Sequence, residues 1–226
     1  MYKHIIFDCF GTLIDTGSGS IEAVKKILNN VGCDVDEKVF YSEWKSLKKN
    51  LMLEETFFSE KDLFKISLGK MFDAYDINAD ASVEVKPMID TLFGIRKVFP
   101  DVTETINTLD RMGIKYAIGS TTDTDSLMHF LDINKLTFSR IYTSENMKKY
   151  KPASDFYNTI INQEGWDVTE TLFVGDNLID DVAGPKSIGM KAVLLDRKNK
   201  FVADNDIKPD YVISTLNELI SIIHES

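Results

Sequence analysis

Four short stretches of this chain hold residues whose types and spacing could do chemistry. Phe7-Asp8-Cys9-Phe10-Gly11-Thr12-Leu13 ends an apolar run with a carboxylate and a Gly-Thr turn. Gly119-Ser120-Thr121-Thr122-Asp123 places hydroxyls after a second apolar run. Lys148-Lys149-Tyr150-Lys151-Pro152 supplies amines, and Val174-Gly175-Asp176-Asn177-Leu178-Ile179-Asp180-Asp181 supplies a group of acids. Together these offer a carboxylate nucleophile, a hydroxyl donor, a cation and a second acidic cluster. Such a set suits transfer of a phosphoryl group or attack on an electrophilic carbon, because an aspartate can form a covalent intermediate that water then releases. Lysine and hydroxyl donors stabilise charge on the transferring group. Clustered carboxylates suit Mg²⁺, a hard cation that prefers oxygen ligands.

Within each stretch the residue types leave alternatives. Ser120 or Thr121 could be the hydroxyl donor. Asp180 and Asp181 compete for one acidic role, and the other is left as a helix-start charge. Lys148 and Lys149 read as solvated charges, whereas Lys151 precedes Pro152, which can open a helix. Thr12 is expected to brace its loop through the hydroxyl, Asp15 to shape a linker, and Cys9 to be a small core residue. His4, His129 and His224 share no motif and no Gly-x-Ser-x-Gly elbow is present, which argues against a serine-hydrolase triad. Gly17 and Gly19 lack the Lys-Ser/Thr tail of a phosphate loop.

The elements that must position these residues follow from short apolar runs. Strands are expected over Ile5–Cys9, Lys115–Ile118, Arg140–Thr143, Thr171–Val174, Lys191–Leu195 and Tyr211–Ile213. Amphipathic helix-length segments lie between them over Val102–Met112, Asp125–Leu131, Ala153–Gln163, Asp180–Ile188 and Leu216–Ile223. Strand–helix alternation of this kind implies a parallel sheet with helices on both faces, with ligands at the carboxyl ends of its strands. Residues 16–95 break the alternation. After a polar Thr16-Gly17-Ser18-Gly19-Ser20 linker, helices are expected over Ile21–Val31, Glu37–Leu53, Glu60–Tyr75 and Ser82–Ile95, with no strand between. This helical block reads as a lid or cap module.

The 226 residues, 43% hydrophobic and 27% charged, can bury a core. A net charge of −10 argues against non-specific nucleic-acid binding. It is compatible with a small anionic substrate at a locally positive site. Two cysteines without metal-ligand spacing fit a reduced, cytoplasmic setting. No apolar run reaches membrane-spanning length, so a soluble protein is expected.

The order of the four stretches resembles the haloacid dehalogenase-like hydrolase superfamily over essentially the whole chain. Phe7-Asp8-Cys9-Phe10-Gly11-Thr12-Leu13 is similar to its first motif, Ser120 to its second, Lys151 in Tyr150-Lys151-Pro152 to its third, and Gly175-Asp176 with Asp181 to its fourth. Val182-Ala183-Gly184-Pro185-Lys186-Ser187-Ile188-Gly189-Met190 is similar to the helix that usually follows. The resemblance implies a three-layer, Rossmann-like α/β core over 1–15 and 96–226, and a mobile all-helical cap of subclass I over 16–95. It implies Asp8, Ser120 and Lys151 as catalytic residues, with Asp8 as nucleophile. Gly11, Thr12 and Thr121 would contact substrate. Mg²⁺ would be held by Asp8, Asp176, Asp181 and the Phe10 carbonyl.

Phe10 departs from the pattern. Most phosphatases of the superfamily carry a second aspartate there, which protonates the leaving alkoxide and activates water; general acid–base help of this kind contributes about 10²–10⁴-fold. The 2-haloacid dehalogenases carry an aromatic residue at that place, because halide leaves without a proton. They also use a cap Trp-Arg pair, which Trp44-Lys45 resembles, although lysine lacks the planar fork. They carry Asn where this chain has Thr121, dispense with Mg²⁺, and lack the acid that this chain keeps as Asp176. A Mg²⁺-dependent phosphatase acting on a small phosphorylated metabolite is therefore expected, with 2-haloacid dehalogenase chemistry as the first alternative. A weakly active regulatory or binding protein is the second.

Overall fold

The computed structural model describes residues 1–202 and 206–225. In chain order the elements begin with β1 (His4–Phe7), then α1 (Gly19–Val31), α2 (Glu37–Leu51), α3 (Glu60–Ala74), α4 (Ala81–Glu84) and α5 (Lys86–Thr91). Next come α6 (Val102–Met112), β2 (Lys115–Ser120), α7 (Thr124–Ile133), β3 (Ile141–Thr143), α8 (Ser144–Met147) and α9 (Ser154–Glu164). The chain continues with β4 (Thr171–Gly175), a π-helical turn at Leu178–Ala183, α10 (Gly184–Lys186), β5 (Lys191–Leu195), β6 (Tyr211–Ile213) and α11 (Leu219–Glu225).

The six strands form one parallel sheet in the order β3-β2-β1-β4-β5-β6. β1 is central, hydrogen-bonded to β2 on one side and β4 on the other, so Ile5, Ile6 and Phe7 are all fully buried. A parallel strand covered on both faces needs a continuous apolar run rather than alternation. Ile6, Ala117 and Phe173 share a register row and pack with Phe156, Tyr157 and Ile160 of α9. From β1 the chain steps outward through β2 to β3, then crosses back to β4 on the other side of β1 and continues to β5 and β6; this reversal is the switch point where an open sheet presents its ligand crevice.

Several elements differ from the sequence expectation, three of them beside the site or in the helical insertion. β1 closes at Phe7 rather than Cys9: the Asp8 amide still bonds Val174, but the Cys9 carbonyl turns back to accept the Leu13 and Ile14 amides. The helix expected over Asp180–Ile188 is a π-turn followed by the single turn of α10. The segment Ser82–Ile95 splits at Val85 into α4 and α5, with proline in the first turn of the second.

The chain forms two compact units. One comprises Met1–Asp15, Arg96–Thr121 and Leu131–Ser226; the other comprises Thr16–Ile95 and Thr122–Phe130. The second unit is all helical and has its own core, built on Val24, Ile27, Phe40, Trp44, Leu68 and Met88. Thr122–Phe130 belongs to it in addition to the insertion, and polar contacts show why. The buried Asp123 carboxylate accepts the Glu60 and Lys61 amides at 2.6 and 3.2 Å, which caps the N-terminus of α3. Thr122 donates to Glu60 at 2.8 Å. No helix among the described residues is long and apolar enough to cross a membrane.

Candidate functional site

The first unit brings the candidate residues together at the carboxyl ends of its central strands. Asp8 follows β1, Ser120 ends β2, and Asp176 follows β4. Lys151 comes from the loop before α9, and Asp181 from the π-turn after β4. Lys151 Nζ donates to Asp8 Oδ1 at 2.6 Å and to Asp181 Oδ1 at 2.7 Å. All three are buried, at 4% exposure for Lys151, 7% for Asp8 and 1% for Asp181. Asp176 keeps solvent access. Carboxylate oxygens of Asp8, Asp176 and Asp181 lie within 4.8 Å of one another.

The loops that hold these acids fit tightly around them. Gly11 has φ +97°, and a Cβ there would overlap the Asp176 carboxylate. A Cβ at Gly175 would overlap Asp181 in the same way. Any side chain at either glycine would fill the space that the acids occupy. Asn177 caps the π-turn: its side chain accepts the Ile179 and Asp180 amides, and its own amide donates to Asp181 Oδ2 at 2.9 Å. With Lys151 on the other oxygen, the Asp181 carboxylate is fixed at both ends. The Tyr157 hydroxyl, from α9 beneath, donates to the Asp180 carbonyl and fixes the same turn from its other side.

Three carboxylates gather around the Lys151 ammonium, and the electrostatics register the imbalance. Burial pushes the Asp8 carboxyl up to about 7; Lys151 opposes the rise, while Asp181 and Asp176 add to it. Asp176 is pushed up to about 6, chiefly by desolvation and the Asp181 charge. Burial disfavours the charged form of Lys151, yet Asp181 and Asp8 outweigh it and hold the ammonium protonated. A hard dication fits such a donor set: all-oxygen ligands, surplus negative charge, and glycines that leave room for two of the acids.

The remaining candidates fall into two groups. Thr121 is half-buried beside Lys151, whose amide donates to its Oγ1 at 3.3 Å. Gly11 and Thr12 form the turn after Asp8, with the Gly11 amide on the Ile14 carbonyl at 2.8 Å. Thr12 Oγ1 is buried without a hydrogen-bond partner, so it does not brace the loop; the Thr12 carbonyl instead accepts from Arg197 at 2.9 Å. Phe10 lies two residues past Asp8, and the Arg96 guanidinium stands 5.5 Å from its ring centroid. Asp180 is not among the clustered acids, which separates it from Asp181. Cys9 is fully buried, and burial pushes its thiol well above the usual range, so it is a core residue.

Trp44 and Lys45 have structural tasks in the helical unit. Trp44 is buried and donates through Nε1 to Ser67 at 2.6 Å, while the Lys45 ammonium lies over the Tyr41 ring. His4 stacks on Trp166, and His129 packs on Phe93 and Phe130. Sequence reasoning missed Asn177 and Tyr157 as positioning groups. Asn177 carried a usable signal, since asparagine ahead of Leu178-Ile179-Asp180 is a helix-cap pattern; Tyr157 carried none beyond its place on an apolar helix face.

A parallel core with a helical insertion between its first two strands, and an aspartate–lysine–aspartate site at the strand ends, defines a hydrolase class. The chain belongs to the haloacid dehalogenase-like hydrolases, whose family profile matches residues 5–195. Its insertion occupies the position of that family's subclass I cap. It is 27% identical to the glyceraldehyde 3-phosphate phosphatase of Methanocaldococcus jannaschii over 99% of this chain and 97% of that one. The fold matches Bacillus subtilis YfnB, solved bound to magnesium, with TM-score 0.80 and 19% identity over 99% of both chains. It also matches the L-2-haloacid dehalogenase of Xanthobacter autotrophicus, with TM-score 0.75 and 18% identity over 99% of both chains.

Proposed function

We propose that this protein is a Mg²⁺-dependent phosphohydrolase that acts on a small phosphorylated metabolite through an aspartyl-phosphate. One observation carries the reading: Asp176 stands with Asp8 and Asp181, three carboxylates within 4.8 Å around a single lysine. Asp8, Asp176, Asp181 and the Phe10 carbonyl would hold the metal. Bound Mg²⁺ offsets the surplus negative charge and keeps Asp8 ionised beside an anionic substrate.

Asp8 is the nucleophile. Its Oδ1 is held by Lys151, which leaves Oδ2 outside that bond to attack phosphorus as the bond to the leaving oxygen breaks. Lys151, Ser120 and Thr121 hold the phosphoryl oxygens and take up charge as it builds in the transition state. Water then attacks the phosphorus of the aspartyl-phosphate and returns the Asp8 carboxylate with inorganic phosphate. Phe10 has no proton to give, so the leaving alkoxide draws its proton from solvent, and substrates with stable leaving groups react fastest. The similarity to a phosphatase along nearly its whole length supports a phosphorylated substrate.

Dehalogenation is the second reading, and Phe10 is the residue that favours it. Asp176 weighs against it, as does Trp44, whose indole is taken up by Ser67 in a buried core. Phosphate release from p-nitrophenyl phosphate and a panel of sugar phosphates, with and without Mg²⁺, is the test, alongside halide release from 2-chloropropionate. Mg²⁺-dependent phosphate release lost in Asp8→Asn is expected. Metal-independent halide release that depends on Asp8 would replace the phosphatase reading with the dehalogenase one.

A further inference from the structure

Arg197, just after β5, makes contacts that the site chemistry does not require. Its guanidinium forms a two-pronged pair with Asp101, Nη1 to Oδ2 at 2.8 Å and Nη2 to Oδ1 at 3.0 Å. Nη2 also donates to the Thr12 carbonyl at 2.9 Å. The guanidinium stacks on Phe99, 3.9 Å from the ring centroid. Asp101 Oδ2 in addition accepts the Leu216 amide at 2.8 Å. Both side chains are largely buried, at 15% and 11% exposure.

This pair is a poor device for stability alone. Desolvating two charges offsets most of their attraction. Arg197 Nε is moreover buried with no hydrogen-bond partner, which adds a further cost. What the arrangement supplies is geometry. Thr12 lies four residues beyond Asp8, in a turn closed internally by the Cys9 carbonyl, which accepts the Leu13 and Ile14 amides. The exit of that turn pairs with the returning chain: Ile14 bridges Val98 antiparallel, the Phe99 amide donates to Leu13, and the Asp15 amide donates to Lys97. Arg197 touches both sides of this stalk, at the Thr12 carbonyl and the Phe99 ring, and ties them to Asp101 at the start of α6.

We infer that Arg197 is a positioning residue for the nucleophile: by clamping Thr12 and Phe99 to Asp101, it fixes the turn that aims the Asp8 carboxylate. The inference rests on the hydrolase reading for its kinetic consequence but not for its structural one. Removing the clamp leaves Lys151 and Ser120 in place, so binding of the phosphoryl group persists while attack by Asp8 is misaligned. Misplacement of about 1 Å can cost roughly 100-fold in rate.

The test compares wild type, Arg197→Ala and Asp101→Asn, each well below its melting temperature, with p-nitrophenyl phosphate and Mg²⁺. In both variants kcat is expected to fall about 10- to 100-fold with KM within about twofold of wild type, the signature of an effect confined to the transition state. Free guanidinium ion, which fits the space left by Arg197→Ala, should restore part of that kcat without a matching gain in wild type. Hydrogen exchange of the Asp8–Asp15 amides should accelerate in both variants, a readout independent of turnover. Wild-type kcat and unchanged exchange in a folded variant would overturn the inference; Asp101→Asn decides it if Arg197→Ala does not fold. If wild type itself released no phosphate, the phosphohydrolase reading would fall, and exchange over Asp8–Asp15 would still decide the role of Arg197.

Discussion

At Asp8 burial and charge act against ionisation, and the consequence can be measured without substrate. The folded site binds protons more tightly than the unfolded chain, because Asp8 titrates near 7 and Asp176 near 6, both above the ordinary 3.8. Above about pH 7 the ionised site therefore costs stability, and protonation relieves that cost progressively as the pH falls from 7 toward 4. Metal-free protein is expected to melt at a higher temperature near pH 5.5 than near pH 8, with Asp8→Asn flattening the difference. Asp101, whose partial burial is outweighed by Arg197 and the Leu216 amide, is lowered instead, so it works in the opposite sense and only as the pH nears 4, below the two values compared. Adding Mg²⁺ near pH 8 should raise the melting temperature of wild type and not of Asp176→Asn. Position 10 supplies a second expectation at this scale. Phe10→Asp should raise kcat by about 10-fold or more on alkyl phosphates, whose leaving groups need a proton, and little on p-nitrophenyl phosphate.

Among the elements, the turn after β4 controls the acidic side of the site. Asn177 caps it from within, Tyr157 holds its Asp180 carbonyl from α9, and Lys151 and the Asn177 amide fix the Asp181 carboxylate that it carries. Tyr157→Phe leaves the packing intact and strips the Asp180 carbonyl of this donor. It is expected to cost about 1–2 kcal/mol of stability in a urea titration and to weaken Mg²⁺ binding measured by calorimetry. The strands were legible from sequence because Ile5-Ile6-Phe7 and Leu172-Phe173-Val174 are apolar on both faces, which only a central parallel strand tolerates. The π-turn was not. Leu178 to Ala183 has an apolar spacing that an ordinary helix would also show, and the partner that meets the Asp180 carbonyl of the widened turn is Tyr157, a tertiary neighbour. The same limit applied at Thr12, where the hydroxyl suggested a brace and the carbonyl is the group that is held.

Across the whole molecule, the clustered Asp8, Lys151, Asp176 and Asp181 could be anticipated because their motif order resembles a known superfamily. The place of Thr122–Phe130 in the helical unit could not. Asp123 follows the second motif directly, and nothing in its local sequence says that it caps a helix more than sixty residues earlier. Asp123→Ala should free the first turn of α3, costing about 1 kcal/mol and speeding amide exchange at Glu60 and Lys61 by roughly fivefold. Hydrogen exchange resolved by peptide measures this directly. The division of the polypeptide also bears on how such proteins diversify. The helical unit draws on two separate segments, Thr16–Ile95 and Thr122–Phe130, so it is not a cassette bounded by one pair of splice points. A chimera that exchanged only residues 16–95 for a relative's insertion would keep Asp123, Leu127 and Phe130, side chains buried here, against helices that never evolved with them. Recombination that preserves folding must transplant both segments, or mutate the second to suit its new neighbours.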